Sequence, residues 1–265
     1  MEWRDEGIVL AVRRHGEAHA LLDVMSAGHG RWCALVHGGA SRAKQALLQP
    51  GNRLDLVWRA RLADQLGHFG VEPAALHAGS ILGDPLRLKL MLAAVALVLG
   101  IVPERHPYPR IHAGLAGLLE LLTISDAPPL RLGEGLVRFE LGLLADLGFG
   151  LDLACCAVTG SSEDLTHVSP KSGRAVSREA GAPWVDRLLD LPAFLRPGAN
   201  AGPSDDEELE QGFRLTGHFL ARHAFAATHR PIPPVRSDAI AALLAATGKE
   251  AERTQLAADA QPPRA

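Results

Sequence analysis

Aromatic side chains make up only 5% of the 265 residues, with a single tyrosine, and cysteine and methionine number three each. Packing therefore has to rest on leucine, alanine and valine. The 47% hydrophobic share is enough for a sizeable core, in one large domain or two. Three cysteines, two of them adjacent at Cys155 and Cys156, cannot form a disulfide framework and point to a reducing compartment. The opening MEWRDEG carries acids and is followed by no apolar run, so no signal peptide is expected. The most apolar stretch, residues 90–102 between Lys89 and Glu104, is too short to span a bilayer and predicts a buried helix. A soluble cytoplasmic protein with no membrane partner follows.

Strong charge of either sign is also missing. A formal net charge of −3 and a pI near 6.5 exclude a uniformly basic nucleic-acid binder, so any such function must be local. There is no GxGxxG, Walker A lysine loop or HExxH, and the 30 acids carry no paired-carboxylate signature. Cys155 or Cys156 with His167 lacks a third orienting group, and His218 and His223 lie five apart, not at metal-pair spacing. The sequence predicts a non-enzyme.

Alternation with period two marks residues 3–72 as β-rich. Strands are expected over 8–13, 18–25, 31–37, 54–63 and 65–71, separated by turns at His15-Gly16-Glu17 and Ala27-Gly28-His29-Gly30. Gly38-Gly39 opens a loop that Pro50-Gly51-Asn52 closes. Four or five short strands in so short a span suit a small closed barrel. From Asp84-Pro85, an N-cap and first-turn proline, the period becomes helical. Helices are expected to Gly100, over 109–124, over 130–147, from a capping box at Ser204–Glu207 to His223, and over 237–247. The fold class is α+β with two domains: 1–80, and a helical domain 81–248 with an insert at 151–182. Residues 249–265 read as a disordered tail.

Against the overall balance, residues 31–61 hold six basic side chains, Arg31, Arg42, Lys44, Arg53, Arg59 and Arg61, and one acid, Asp55. Such a patch suits a polyphosphate, though the same composition suits an ordinary solvated sheet face. Trp32 and Trp58 fall on apolar faces and are expected in the core, so binding would be electrostatic with little base preference. The insert carries Cys156-Ala-Val-Thr159 and Ser177-Arg-Glu-Ala180, the skeleton of a C-x₂-C…C-x₂-C zinc ribbon with three of its four thiols replaced, by Thr159, Ser177 and Ala180. One thiolate makes a poor zinc site, and a metal-free knuckle is expected.

These residues resemble a family. The β-rich start, Gly38-Gly39-Ala40-Ser41-Arg42, the run Phe139-Glu140-Leu141-Gly142-Leu143-Leu144-Ala145-Asp146-Leu147-Gly148-Phe149, and Cys156-Ala-Val-Thr-Gly160 leading to Ser169-Pro-Lys-Ser-Gly-Arg-Ala-Val176 are similar to the bacterial RecO proteins. The likeness implies an N-terminal OB-fold, a helical C-terminal domain, and a knuckle that binds zinc in some relatives. It further implies a recombination mediator, associated with the nucleoid, that binds single- and double-stranded DNA and anneals strands. Such a protein engages the acidic tail of single-stranded-DNA-binding protein (SSB) and acts with RecR to load RecA. Arg131, Arg138 and Arg222 are candidates for the basic edge of an SSB-tail notch. A protein-interaction adaptor and an OB-type RNA binder remain alternative readings.

Overall fold

The computed structural model describes residues 1–199 and 202–259. They fall into two compact units: Met1–Ser125 with Thr228–Arg236, and Asp126–Ala227 with Ser237–Ala265. The first unit runs past the expected boundary at residues 80 and 81 and takes in two helices. Among the described residues no helix is long and apolar enough to cross a membrane.

The first unit begins with β1 (Glu2–His15), β2 (His19–Ser26) and β3 (Gly30–Val36), followed by α1 (Arg42–Leu47), β4 (Arg53–Arg59) and β5 (His68–Ala75). The strands close into a barrel in the order β1-β2-β3-β5-β4, with β1 also paired to β4, the five-stranded connectivity of an OB-fold. Closure is possible because β1 is long. Its first half pairs with β4 and its second with β2, with a bulge between Val9 and Ala11 where it bends. Alternation then sends Leu22, Val24, Trp32, Ala34, Leu54, Leu56, Trp58 and Phe69 inward, all buried. Trp3 joins them, stacked on Trp58 at 5.8 Å and edge-on to Trp32 at 5.4 Å. Both tryptophans expected in the core are there.

The connection from β3 to β4, expected as loop throughout, contains α1. Its end is held by Asn52, which donates to the carbonyls of Ala46 and Leu47 and accepts from the Ala78 N–H. That third bond fixes the start of α2 (Ala78–Ile81). Gly30, at φ +72°, lies so close to the chain that an added Cβ would stand 1.8 Å from the His106 carbonyl oxygen, so only glycine fits the start of β3.

Asp84 caps α3 (Pro85–Ile101), accepting from the N–H groups of Leu86 and Arg87. This helix is apolar nearly all round and buries Leu90, Met91, Ala93, Ala94, Leu97 and Val98, as the sequence predicts. Arg87 is buried at its N-terminal end. Its guanidinium bonds Asp84 and donates to the carbonyls of Leu122, Ile124 and Ser125 at the end of α4 (Pro109–Thr123). One side chain thus satisfies the C-terminus of a neighbouring helix.

The second unit starts with α5 (Pro129–Leu144), which passes into a π-helical turn, Ala145–Phe149, ended by Gly148 at φ 86°. The insert forms a small antiparallel sheet, order β7-β6-β8, from β6 (Leu165–Val168), β7 (Ala175–Ser177) and β8 (Leu189–Asp190), with α6 (Arg178–Gly181) between the last two. Next come α7 (Asp206–Phe219), a second π-helical stretch Leu220–Phe225, α8 (Ala226–Thr228) and α9 (Pro234–Asp259). The capping box sits one residue later than the sequence suggests: Asp205 accepts from the Glu208 N–H, and Glu208 reaches back to the Ser204 N–H. Helix α9 continues past Gly248 to Asp259 where a disordered tail is expected; residues 260–265 of that tail lie outside the described residues. Helices α5 and α7 meet at Gly212, whose missing side chain admits Val137. A buried hydrogen bond from Thr216 to Glu140 also joins them.

Replacing Arg87 with alanine should orphan three buried or half-buried carbonyls and remove the ion pair to Asp84. A loss of about 3 kcal/mol is expected, read as a lower urea midpoint. An unchanged midpoint would remove Arg87 from this bridging role.

Candidate nucleic-acid interface

Barrel closure gathers the β1–β2, β3–β4 and β4–β5 connections, and these carry Arg42, Lys44 and Arg61. The register places His15 opposite His19, and the pairing of Ala20 with Val36 sets His19 beside His37. His68 pairs with Arg59 on one side and with Leu35 on the other. The rings follow: His19 to His37 is 5.1 Å between centroids and His37 to His68 is 5.3 Å. Lys44, on α1, donates its ammonium to the His37 carbonyl at 2.7 Å. Two hollows share Arg59, and the first also takes in His68. One of about 550 Å³ is lined by Arg59, Arg61, Gln65 and His68; the other, of about 820 Å³, by Lys44, Arg4, Arg59, Asp55 and Glu72.

Three of the six predicted basic residues, Lys44, Arg59 and Arg61, line these hollows, and Arg42 stands at the start of α1 two residues before Lys44. Arg42 and Arg61 are exposed and have no ion pair among the described residues. Lys44 bonds only a carbonyl, so its charge is not neutralised. Arg59 is half-exposed and shares its charge with Glu2, whose oxygen accepts from Nε at 2.8 Å. Hydrogen bonding to Arg59 holds the Glu2 carboxyl below the usual range, and Glu2 raises Arg59 in turn.

Arg31 and Arg53 do not serve as predicted. Arg53 grips Glu6 with both Nε and Nη2, at 3.0 and 2.8 Å, and gives its remaining arm to Glu120 at 3.1 Å. Arg31 donates to the Leu99 carbonyl at 2.7 Å and to Glu104 at 2.6 Å. Each guanidinium is tied to partners on β1, α3, α4 or the connection between α3 and α4, so these two arginines hold elements together. The three histidines of the row were missed. Their signal is positional: His19, His37 and His68 each stand at or just beyond a strand end, where alternation gives no reading.

In the second unit, Arg131 and Arg138 both clamp Glu134, whose side chain is only 3% exposed. Burial raises the Glu134 carboxyl, but the hydrogen bonds from Arg138 and Arg131 outweigh it and the group is held low. Arg138 also donates to the Phe194 carbonyl at 2.9 Å and lies over its ring. These two arginines are tied into a triad, which corrects their reading as free edges of a peptide notch. Two cations share one anion, so a positive surplus stays at the half-exposed guanidinium groups. Arg222 is exposed on the π-helical stretch, where the adjacent His223 stacks on Phe149 at 5.4 Å and on Phe219 at 5.9 Å. No contact joins it to the triad among the described residues.

The knuckle keeps a thiol at its centre. Cys156 is buried, and its sulfur accepts from the Ser177 N–H at 3.3 Å and the Ser177 hydroxyl at 3.4 Å. Burial pushes this thiol up, but hydrogen bonds from the side chains and backbone of Ser177 and Thr159 pull it down to about 6. Zinc, which the resemblance implies for some relatives, does not fit this donor set: Thr159, Ser177 and Ala180 supply no thiolate, and the His167 ring nitrogen is engaged by Thr166 at 2.8 Å. Among the described residues no group of three or more His, Cys, Asp or Glu could hold a metal.

Residues 1–74 match the family model described as Recombination protein O N terminal, and residues 82–230 the one described as Recombination protein O C terminal. A DNA repair protein RecO from Methylobacterium nodulans is 52% identical over 228 residues, covering 85% of this chain and 91% of the relative. Proteins of the same name from Chelativorans sp. and Mesorhizobium japonicum are 49% and 47% identical, each over 92% of this chain and 96% and 94% of their own lengths.

Two measurements check these assignments. Arg53→Ala should destabilise the fold by about 2–3 kcal/mol by leaving Glu6 and Glu120 unpaired, while leaving the salt dependence of any polyanion binding unchanged. A Cys156 sulfur held low when folded, against the ordinary 9.0, contributes stability that is present above the unfolded value and is lost as pH falls through about 6. Unfolding midpoints should therefore rise with pH between about 6 and about 9, and this rise should vanish in Cys156→Ala.

Proposed function

The chain belongs to the RecO family and works in DNA repair and recombination, and we propose that the barrel rim grips the DNA backbone as its share of that task. Lys44, Arg59 and Arg61 line two hollows at the connections of an OB barrel, with Arg42 on the same short helix as Lys44, and this grouping is the observation that carries the proposal. Contacts of this kind neutralise phosphates without reading bases, which suits a protein that must work at any gap. With the tryptophans buried inside the barrel, few stacking platforms are left to impose a base preference. The protein acts on the bacterial nucleoid in the cytoplasm, on single and double strands, and anneals complementary strands.

The same reading gives it partners and no catalytic step. It takes the acidic SSB tail on the helical unit, where Arg222 beside the Phe149–His223 stack supplies a free cation and apolar rings. With RecR it assists RecA loading. The knuckle works without metal, its thiol held by hydrogen bonds from Ser177 and Thr159.

Arg42→Ala combined with Arg61→Ala should weaken binding to a single-stranded oligonucleotide and flatten the slope of log affinity against log salt by about 1.4, since each lost phosphate contact counts about 0.7. The fold should be unaffected, because both side chains are exposed. A wild-type protein with no salt-dependent binding would instead favour a pure adaptor. Stoichiometric zinc in metal analysis of purified protein would overturn the metal-free knuckle.

A further inference from the structure

The imidazole row His19–His37–His68 has no role in holding the barrel together. His37 is exposed, the other two are half-buried, and among the described residues the one hydrogen bond to these rings runs from the Gly38 N–H to His19 Nδ1 at 3.3 Å. The rings sit on three adjacent strand ends with centroids 5.1 and 5.3 Å apart, and no metal cluster accounts for them among the described residues. Cations surround them. Lys44 bonds the His37 backbone, Arg59 pairs with His68 across the strands, and Arg61 lines the same hollow as His68. The nearby acids are Glu2, which is already committed to Arg59, Glu17 in the β1–β2 turn, and Asp64 in the β4–β5 connection.

We propose that this row is a proton-coupled seat for the phosphodiester backbone of single-stranded DNA, an inference that rests on the rim being the DNA-binding surface. The rings stand 5.1 and 5.3 Å apart beside lysine and arginine, so a polyanion laid along the row meets a line of imidazoles whose charged form it favours. Binding DNA therefore takes up protons, and lowering the pH tightens binding, because imidazole is the side chain that changes charge in the range concerned. The same rings present π faces to an unstacked base.

The test is fluorescence anisotropy of a labelled oligo-dT at fixed salt, with calorimetry in buffers of different ionisation enthalpy to count protons. Wild-type affinity should rise about tenfold from about pH 8 to about pH 6, with net proton uptake. His19→Gln, His37→Gln and His68→Gln together should abolish both effects. Should the triple variant misfold by circular dichroism, the exposed single variant His37→Gln must still reduce the proton count. Binding that is salt-dependent but equally pH-sensitive in the histidine variants, or pH-insensitive in wild type, overturns the seat and leaves the cationic rim standing. No binding by the wild type at any pH overturns both.

Discussion

A small barrel closes only if one strand serves two neighbours, and β1 does this by bending at the bulge between Val9 and Ala11. The arrangement at the end of the barrel that carries His19, His37 and His68 follows from that closure. Once the strands are in register, their connections have to gather at the barrel's ends, and the side chains at the strand ends become neighbours although they are far apart in sequence. His15 and His68 belong to one belt for this reason alone, as do Lys44 and Arg59, which share a hollow. The aromatic interior of Trp3, Trp32, Trp58 and Phe69 keeps the belt in place, since edge-to-face and stacked rings at 5–6 Å resist rearrangement.

Closure also sorts the arginines by role. An arginine whose neighbours include a carboxylate and a free carbonyl on another element is drawn into a structural fork, as Arg31, Arg53 and Arg87 are. One exposed at a connection, with no carboxylate within ion-pair distance among the described residues, keeps its charge unpaired, as Arg42 and Arg61 do. The difference does not lie in the residue type or in local charge density. It lies in whether tertiary structure brings an acceptor within about 3 Å.

The division between what could and could not be read from the sequence follows the same line. Barrel and helices were legible because alternation and helical periodicity are local: Leu54, Leu56 and Trp58 point inward as the pattern requires, and Asp84-Pro85 opens α3. Helix α1 was hidden because a short run between glycines and a proline, RAKQAL, has no buried face of its own and is stabilised by Asn52 from outside it. The capping box was placed one residue early because Ser204 and Asp205 are both good caps, and only the return bond from Glu208 decides between them. Basic residues 31–61 were rightly seen as a departure from the overall charge. Yet Glu6, Glu104 and Glu120, the acids that claim Arg31 and Arg53, come from elsewhere in the chain, and no window along it contains both partners.

The knuckle extends this reasoning to a site whose original chemistry has been replaced. A zinc ribbon holds its two turns together by thiolates converging on one cation. Here the turns still converge on the Cys156 sulfur, but what meets it is the N–H and hydroxyl of Ser177. Each hydrogen bond to a sulfur is weak, so this exchange would be a poor one if the turns relied on it alone. They do not: the Cys156 N–H bonds Ser161, the Ala157 N–H bonds Ala175, and β6 pairs with both β7 and β8. Backbone bonds that in a metal site only accompany the ion are sufficient, together with buried Leu165, Val168 and Val176, to hold the shape. The sulfur itself is anchored by the N–H and hydroxyl of Ser177.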